Sequence, residues 1–198
     1  MTESLPVRTR RILAADGSKH ESLYVACPGR MRSMDLDACR TCAHAQKVST
    51  EVVECSPVVP APTEARSWAG SIAPLSVTCV RANVVTASLS FWAPPEASMI
   101  PVVDTDSRFI GFVSSTQPIA VATTARLAMA LPVSELVFGT KKLAVLESDS
   151  AEYALRVMAH CRASVVAVVD DSGTPRGVLR DIEALRAMAR RARAGSDW

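Results

Sequence analysis

The chain has 198 residues, of which 48% are apolar and 21% charged, with a formal net charge of +2. A chain of this length and composition can bury the core of one mid-sized domain with an appendage, or of two small domains. So weak a charge, with aromatics at only 5%, argues against a nucleic-acid surface built on basic patches and base stacking. No stretch approaches the ~20 apolar residues that span a bilayer, and residues 1–11 lack the apolar core of a secretory signal. The expectation is a cytoplasmic protein without a membrane partner. Its six cysteines then serve as metal ligands or buried thiols rather than as a disulfide framework.

In chain order, residues 1–22 read as a flexible tail and residues 23–56 as a small cysteine-bearing unit with the spacing Cys27-x11-Cys39-x2-Cys42-x12-Cys55. A Cys-x2-Cys pair on a tight turn brings two thiolates within reach of one ion, and the outer two can close a tetrahedron. Zn2+ suits four thiolates because it imposes no d-electron geometry. Leu23-Tyr24-Val25 and Val52-Val53 are expected to pair as short antiparallel strands, and Asp35 to open a short helix whose end carries Cys39 and Cys42. So small a unit needs metal for much of its folding free energy. A closed four-cysteine site would be structural, with no open position for catalysis. An Fe–S cluster on the same thiolates and a redox-active dithiol are the alternatives, and His44 is near enough to compete as a ligand. Ser56 to Thr63 holds three prolines and reads as a stiff linker over residues 57–69.

Residues 70–193 contain a duplication. A shift of 66 residues places Val102-Val103-Asp104 on Val168-Val169-Asp170, Gly111 on Gly177, Ile100 on Val166, and Val80 on Leu146. The halves are 70–131 and 132–193. In the second, Leu143 to Leu146 reads as a strand, Asp149 and Glu152 as a capping box, and Ala154, Leu155, Met158 and Cys161 as the buried stripe of a helix. Val165–Val169 and Gly177-Val178-Leu179 read as strands across an Asp-Asp-Ser-Gly turn, and Asp181 as the cap of a last helix. The first half follows the same plan, with strands at Val77–Val80, Met99–Asp104 and Phe109–Ser114 and helices near 84–93 and 124–131.

Ser98-Met99-Ile100-Pro101-Val102-Val103-Asp104 with Gly111-Phe112-Val113-Ser114, recurring as Ser164 to Asp170 with Gly177-Val178-Leu179, resembles a pair of CBS domains, the tandem known as a Bateman module. The implied fold class is α+β: two βαββα units about a pseudo-twofold axis, here preceded by a zinc-ribbon-like unit. The resemblance implies a non-enzymatic regulatory or sensor protein that binds an adenine nucleotide between its halves, with Ile100 and Val166 against the base. It also implies that the hydroxyl residue three positions after the glycine contacts phosphate and the carboxylate six after it accepts the ribose hydroxyls. Those positions hold Ser114 and Gln117 in the first half, Arg180 and Glu183 in the second. Only the second cleft keeps a carboxylate. The competing expectations are a ligand-free scaffold that homodimerises through the CBS helices or engages a protein partner, and, less favoured, a metal-dependent nucleic-acid regulator using Arg186, Arg190, Arg191 and Arg193. The residues show no catalytic set and no glycine-rich phosphate loop.

Overall fold

The computed structural model describes residues 2–30, 32–56, 69–73, 76–84, 99–114, 131–139 and 141–194. Linker residues 57–68, both helices expected in the first half, and Gln117 lie outside them.

Residues 3–13, expected as part of a loose tail, form the long strand β1 (Glu3–Leu13). It is followed by β2 (Lys19–Cys27), β3 (Arg32–Asp35), the short helix α1 (Leu36–Arg40), β4 (Ala45–Val48) and β5 (Val52–Cys55). The three arginines of β1 mask its alternation. Leu5 and Val7 pack with Leu23, Val25, Leu36 and Val53, whereas Ile12, on the other face, packs with Val77, Cys79 and Val103. β2 and β5 do not pair with each other as expected. Both pair antiparallel with β1, Val7 opposite Val25 and Leu5 opposite Val53. The cysteine-bearing segment is therefore no separate ribbon. β1 runs parallel to β6 (Ser76–Arg81), so this segment and the first repeat share one eight-stranded sheet.

The first repeat continues through β7 (Met99–Val103) and β8 (Phe109–Ser114). The second comprises β9 (Ala144–Leu146), α3 (Ala151–Cys161), β10 (Val165–Val169), β11 (Pro175–Arg180) and α4 (Asp181–Ala194). In both halves the first strand runs parallel to the second, and the second antiparallel to the third. The hairpins coincide in detail. Val102 faces Gly111 with a bulge before Val103, and Val168 faces Gly177 with a bulge before Val169. Asp104 Oδ1 accepts from the N–H groups of Asp106 and Arg108, and Asp170 Oδ1 from those of Ser172 and Thr174, all at 2.9 Å. Ser107 and Gly173 occupy the same left-handed corner, with φ of 65° and 83°.

The shift of 66 fails at the first strand. Val80 pairs with Val102, and the residue paired with Val168 is Val145, not Leu146. Burial gives the reason: Val80 and Val145 are 1% and 2% exposed, while Leu146 is 41% exposed. Leu143 belongs to a 3-10 turn rather than to the strand. Ser150, not Asp149, caps α3, its side chain accepting from the N–H of Tyr153 at 3.1 Å. Asp149 instead turns back to the N–H of Leu146 at 2.7 Å.

The halves exchange their lead-in segments. α2 (Ala69–Ile72), which precedes the first repeat, donates from Ala69 to the Asp149 carbonyl and from Gly70 to that of Glu147, both in the second repeat. The segment before the second repeat returns the pattern, from Val133 to the carbonyl of Val84 and from Ser134 to that of Ala82. Ala69 and Ala73 are buried in the second repeat's core, and Val133 and Leu136 in that of the first. Each crossing segment lies against the other repeat's glycine. A Cβ on Gly177 would stand 2.6 Å from that of Ala73, and one on Gly111 would stand 2.4 Å from Val137 Cγ1 and 2.8 Å from the Phe138 carbonyl oxygen. Only a residue without Cβ permits either approach.

Candidate functional sites

Two groups of residues carry candidate chemistry. The first lies where β11 enters α4. Glu183, in the first turn of α4, reaches back so that Oε2 accepts from the N–H of Arg180 at 2.9 Å. Its Oε1 takes the Arg180 guanidinium through Nε at 3.1 Å and Nη2 at 2.7 Å. This is the carboxylate half of a capping box, and it also places a negative charge at the helix N-terminus, where the dipole favours it. Asp181, expected as the cap, is the first residue of the helix itself. The structure thus unites the two residues singled out for ribose and phosphate, but as partners of each other. Ser114 ends β8 in the other repeat. Ile100 and Val166, expected against the base, are 3% and 0% exposed, and their side chains fill the cores of their own halves. Those side chains contribute hydrophobic stability where they stand, so the strands could offer a ligand only their backbone there.

The second group is the cysteines. Cys27 ends β2, Cys39 lies in α1, and Cys55 ends β5; Cys42, expected on the same helix as Cys39, instead follows α1 in a turn closed by its N–H on the Cys39 carbonyl at 3.1 Å. All four, with His44, line one pocket of about 410 Å3. The thiols sense one another. Burial first, then proximity to Cys27, Cys42 and Cys55, raises the pKa of Cys39, and burial with Cys27 and Cys42 raises that of Cys55. Yet among the described residues no three side chains of ligand type stand close enough to hold one ion. The expected closed tetrahedron is therefore not formed.

A polar seam missed by sequence reasoning joins the N-terminal strands to the second repeat. Arg8, 4% exposed, donates to the carbonyls of Ala73 at 2.9 Å and Ser71 at 2.7 Å. The hydroxyl of Tyr24 donates to the Arg176 carbonyl. The Arg176 guanidinium sits 5.4 Å from the centre of the Tyr24 ring and pairs with Asp170 at 2.9 Å. Burial pushes the Tyr24 phenol up to about 12. Burial alone would raise Asp170, but hydrogen bonds from Ser172 and Thr174 and the charge of Arg176 bring its carboxyl below the usual range. The only signal in the sequence was two arginines at alternate positions of what reads as a polar tail.

Comparison with known proteins fits this architecture. The CBS domain model matches residues 133–190, and no curated protein matches the chain. Among solved structures, the cytosolic domain of the Mg2+ channel MgtE in complex with ATP is 22% identical, with a TM-score of 0.52, covering 61% of this chain and 48% of that one. This chain therefore spans about half the length of that relative. CBSX2 in complex with AMP is 20% identical, with a TM-score of 0.51 and coverage of 63% and 97%. The CBS domain of the bacterial CNNM/CorC family Mg2+ transporter in complex with ATP is 14% identical, with a TM-score of 0.53 and coverage of 64% and 89%. Among the described residues no helix is long and apolar enough to cross a membrane. Residues 133–190 thus match the CBS domain, and the paired repeats have the fold of a tandem CBS-domain protein.

Proposed function

We propose that this protein is a non-enzymatic regulatory module that senses an adenine nucleotide. The observation that carries this reading is the Arg180–Glu183 pair at the head of α4, in the repeat that matches the CBS domain. Solved neighbours that hold ATP or AMP support it. A nucleotide would exchange one partner of each residue: the guanidinium turns to phosphate, and the released carboxylate accepts both hydroxyls of the ribose. Glu183 keeps the Arg180 N–H throughout, so the helix start survives ligand entry. Isothermal titration of the full chain with AMP, ADP, ATP and S-adenosylmethionine tests the reading. Binding should appear for at least one and fall about tenfold or more in Arg180→Ala/Glu183→Gln. A bound ligand at about 100 times its dissociation constant should add about 2.7 kcal/mol of stability. Absence of binding to all four refutes the proposal.

In the same reading, Cys27, Cys39, Cys42 and Cys55 hold a structural Zn2+, with an Fe–S cluster on the same thiolates as the alternative. The shared pocket supports it, because all four cysteines line it, and a cation bound there would take them as thiolates. Such an ion would clamp the ends of β2 and β5 to α1. Metal analysis of anaerobically purified protein with a visible spectrum separates the metals, since an Fe–S cluster absorbs and zinc does not. Protein free of both would refute the assignment.

A specific observation favours a second reading, dimerisation through the helices. Tyr153 on α3 and Ile182 and Leu185 on α4 are exposed at 48%, 44% and 52%. Sedimentation should show a dimer that Leu185→Glu/Ile182→Glu dissociates, and a monomeric wild type removes this reading.

A further inference from the structure

The strands that lead to the cysteine pocket also hold the second repeat. Cys27 ends β2, and the same strand carries Tyr24. β3 pairs with β2, Arg32 opposite Cys27 and Asp35 opposite Tyr24, and runs directly into α1, which carries Cys39. From β2, the Tyr24 hydroxyl donates to the Arg176 carbonyl on β11, and its ring lies 5.4 Å from the Arg176 guanidinium. From β3, the N–H of Ser33 donates to Oε1 of the buried Glu147 at 2.6 Å, and Asp35 stands 3.9 Å from Arg176. The residues that receive these bonds are fixed within their own repeat. The Glu147 N–H donates to the Val169 carbonyl at 2.8 Å, and its carbonyl accepts from the N–H of Gly70 at 2.9 Å. The Arg176 guanidinium pairs with Asp170 at 2.9 Å, and its strand ends at Arg180.

The cysteine-bearing elements have a small apolar core, whose buried members are Val25, Leu36, Val53 and Cys55. Few buried apolar groups mean low local stability. A metal held by thiolates from β2, α1 and β5 would raise it, because ligands brought together only in the folded segment make binding free energy into folding free energy. Each local opening of β2 and β3 breaks the Tyr24–Arg176 and Ser33–Glu147 bonds and leaves buried groups of the second repeat without partners. We infer that metal at Cys27, Cys39, Cys42 and Cys55 is felt by the second repeat through β2 and β3, so that metal occupancy sets how firmly β11 is held. The inference rests on the metal reading given above. It deepens that reading from a structural ion to a regulatory one, since β11 leads to the Arg180–Glu183 pair. The effect is reciprocal by linkage: the factor by which metal strengthens the seam is the factor by which the seam strengthens metal binding.

The test is hydrogen exchange of the full chain, loaded with Zn2+ and again after the metal is removed with EDTA. Loss of metal should speed exchange about tenfold in β2 and β3, and also in β11 and the peptide around Glu147, relative to β7 and β8. Tyr24→Phe/Glu147→Met cuts both bonds and leaves all four cysteines in place. In this variant the metal-dependent protection of β11 should disappear. Its Zn2+ affinity, read by competition with a chromophoric chelator, should fall about tenfold. Tyr24→Phe alone should shift both readouts less and in the same direction, and it decides the matter if Glu147→Met alters the circular dichroism spectrum. The two ways of failing are distinct. If the full chain binds no metal, the metal reading falls and this inference with it. If Zn2+ binds but its removal leaves exchange in β11 unchanged, or the variants bind Zn2+ with wild-type affinity, the metal reading stands and the inference is overturned.

Discussion

Replacing Gly177 with alanine tests the exchange of lead-in segments directly. The new Cβ would lie 2.6 Å from the Cβ of Ala73, against an ordinary carbon contact of about 3.5–4.0 Å. An overlap of about 1 Å cannot be relieved by a rotamer change, because alanine has no further torsion on either side. The next neighbour, Val168 Cβ at 3.9 Å, is in ordinary contact, so the whole strain falls on Ala73. The backbone after α2 must lift from β11, loosening the bonds from Ala69 to Asp149 at 2.7 Å and Gly70 to Glu147 at 2.9 Å. Overpacking of this kind costs about 2–3 kcal/mol, or about 5–10 °C in melting temperature for a chain of this size. Ala73→Gly alone should cost about 1–1.5 kcal/mol through one lost buried methyl and added chain entropy. Because the clash needs both methyl groups, the double variant should fall well short of the sum, with a coupling of about 1.5–2 kcal/mol from urea unfolding of all four proteins. Additive costs, or a Gly177→Ala cost under about 0.5 kcal/mol, would refute the crossing as described.

Three further outcomes follow from particular residues. Ser107 sits at φ 65° where the other repeat has Gly173, so Ser107→Gly should stabilise by about 0.5–1 kcal/mol, seen as a raised urea midpoint. Tyr24→Phe removes the donor to the Arg176 carbonyl while retaining the ring under its guanidinium, and should cost about 1–2 kcal/mol at pH 7 by the same assay. Asp170→Asn should cost about 2 kcal/mol at neutral pH by unpairing Arg176. The Asp170 pKa is depressed on folding, so its stabilisation is complete above the ordinary value of 3.8 and is lost as pH falls through the lower folded value. The gap between wild type and variant should therefore close only in that acid range; a gap that closes above pH 4 contradicts the assignment.

The legible part of the fold was the part where local pattern and tertiary role agree. β7 and β10 are apolar, largely buried runs rich in Val and Ile, and β8 and β11 answer them across acidic turns, so these segments had few other options. The first strand of each repeat misled, because pattern alone could not choose between Val145 and Leu146 for the buried position. β1 was invisible for a physical reason. Arg8 and Arg10 read as solvated, but Arg8 finds two carbonyls inside the protein and is buried, an outcome set by residues more than sixty positions away. The cysteine spacing correctly indicated convergence on one pocket. It does not by itself fix the geometry of a cluster, since metal ligation deprotonates the thiols and couples to local folding.

The most recognisable residues of the duplication prove to be architectural. Asp104 and Asp170 close hairpin turns through identical bonds, and Gly111 and Gly177 admit crossing segments; none of the four lies on a ligand site proposed above. Such residues recur because both halves must fold alike, and they would do so whether or not either cleft holds a nucleotide. Function must instead be sought where the halves differ. The hydroxyl position holds Ser114 in one and Arg180 in the other, and the carboxylate position holds Gln117 in one and Glu183 in the other. A second difference lies outside the repeats. Arg30, before β3, and Arg32, its first residue, line a cavity with Glu147, Ser148 and Asp171 of the second half. Both departures from symmetry place charge on, or against, the second repeat. Since function resides in a site rather than in a fold, the Arg180 and Glu183 positions, where the halves differ, are where recognition is to be tested.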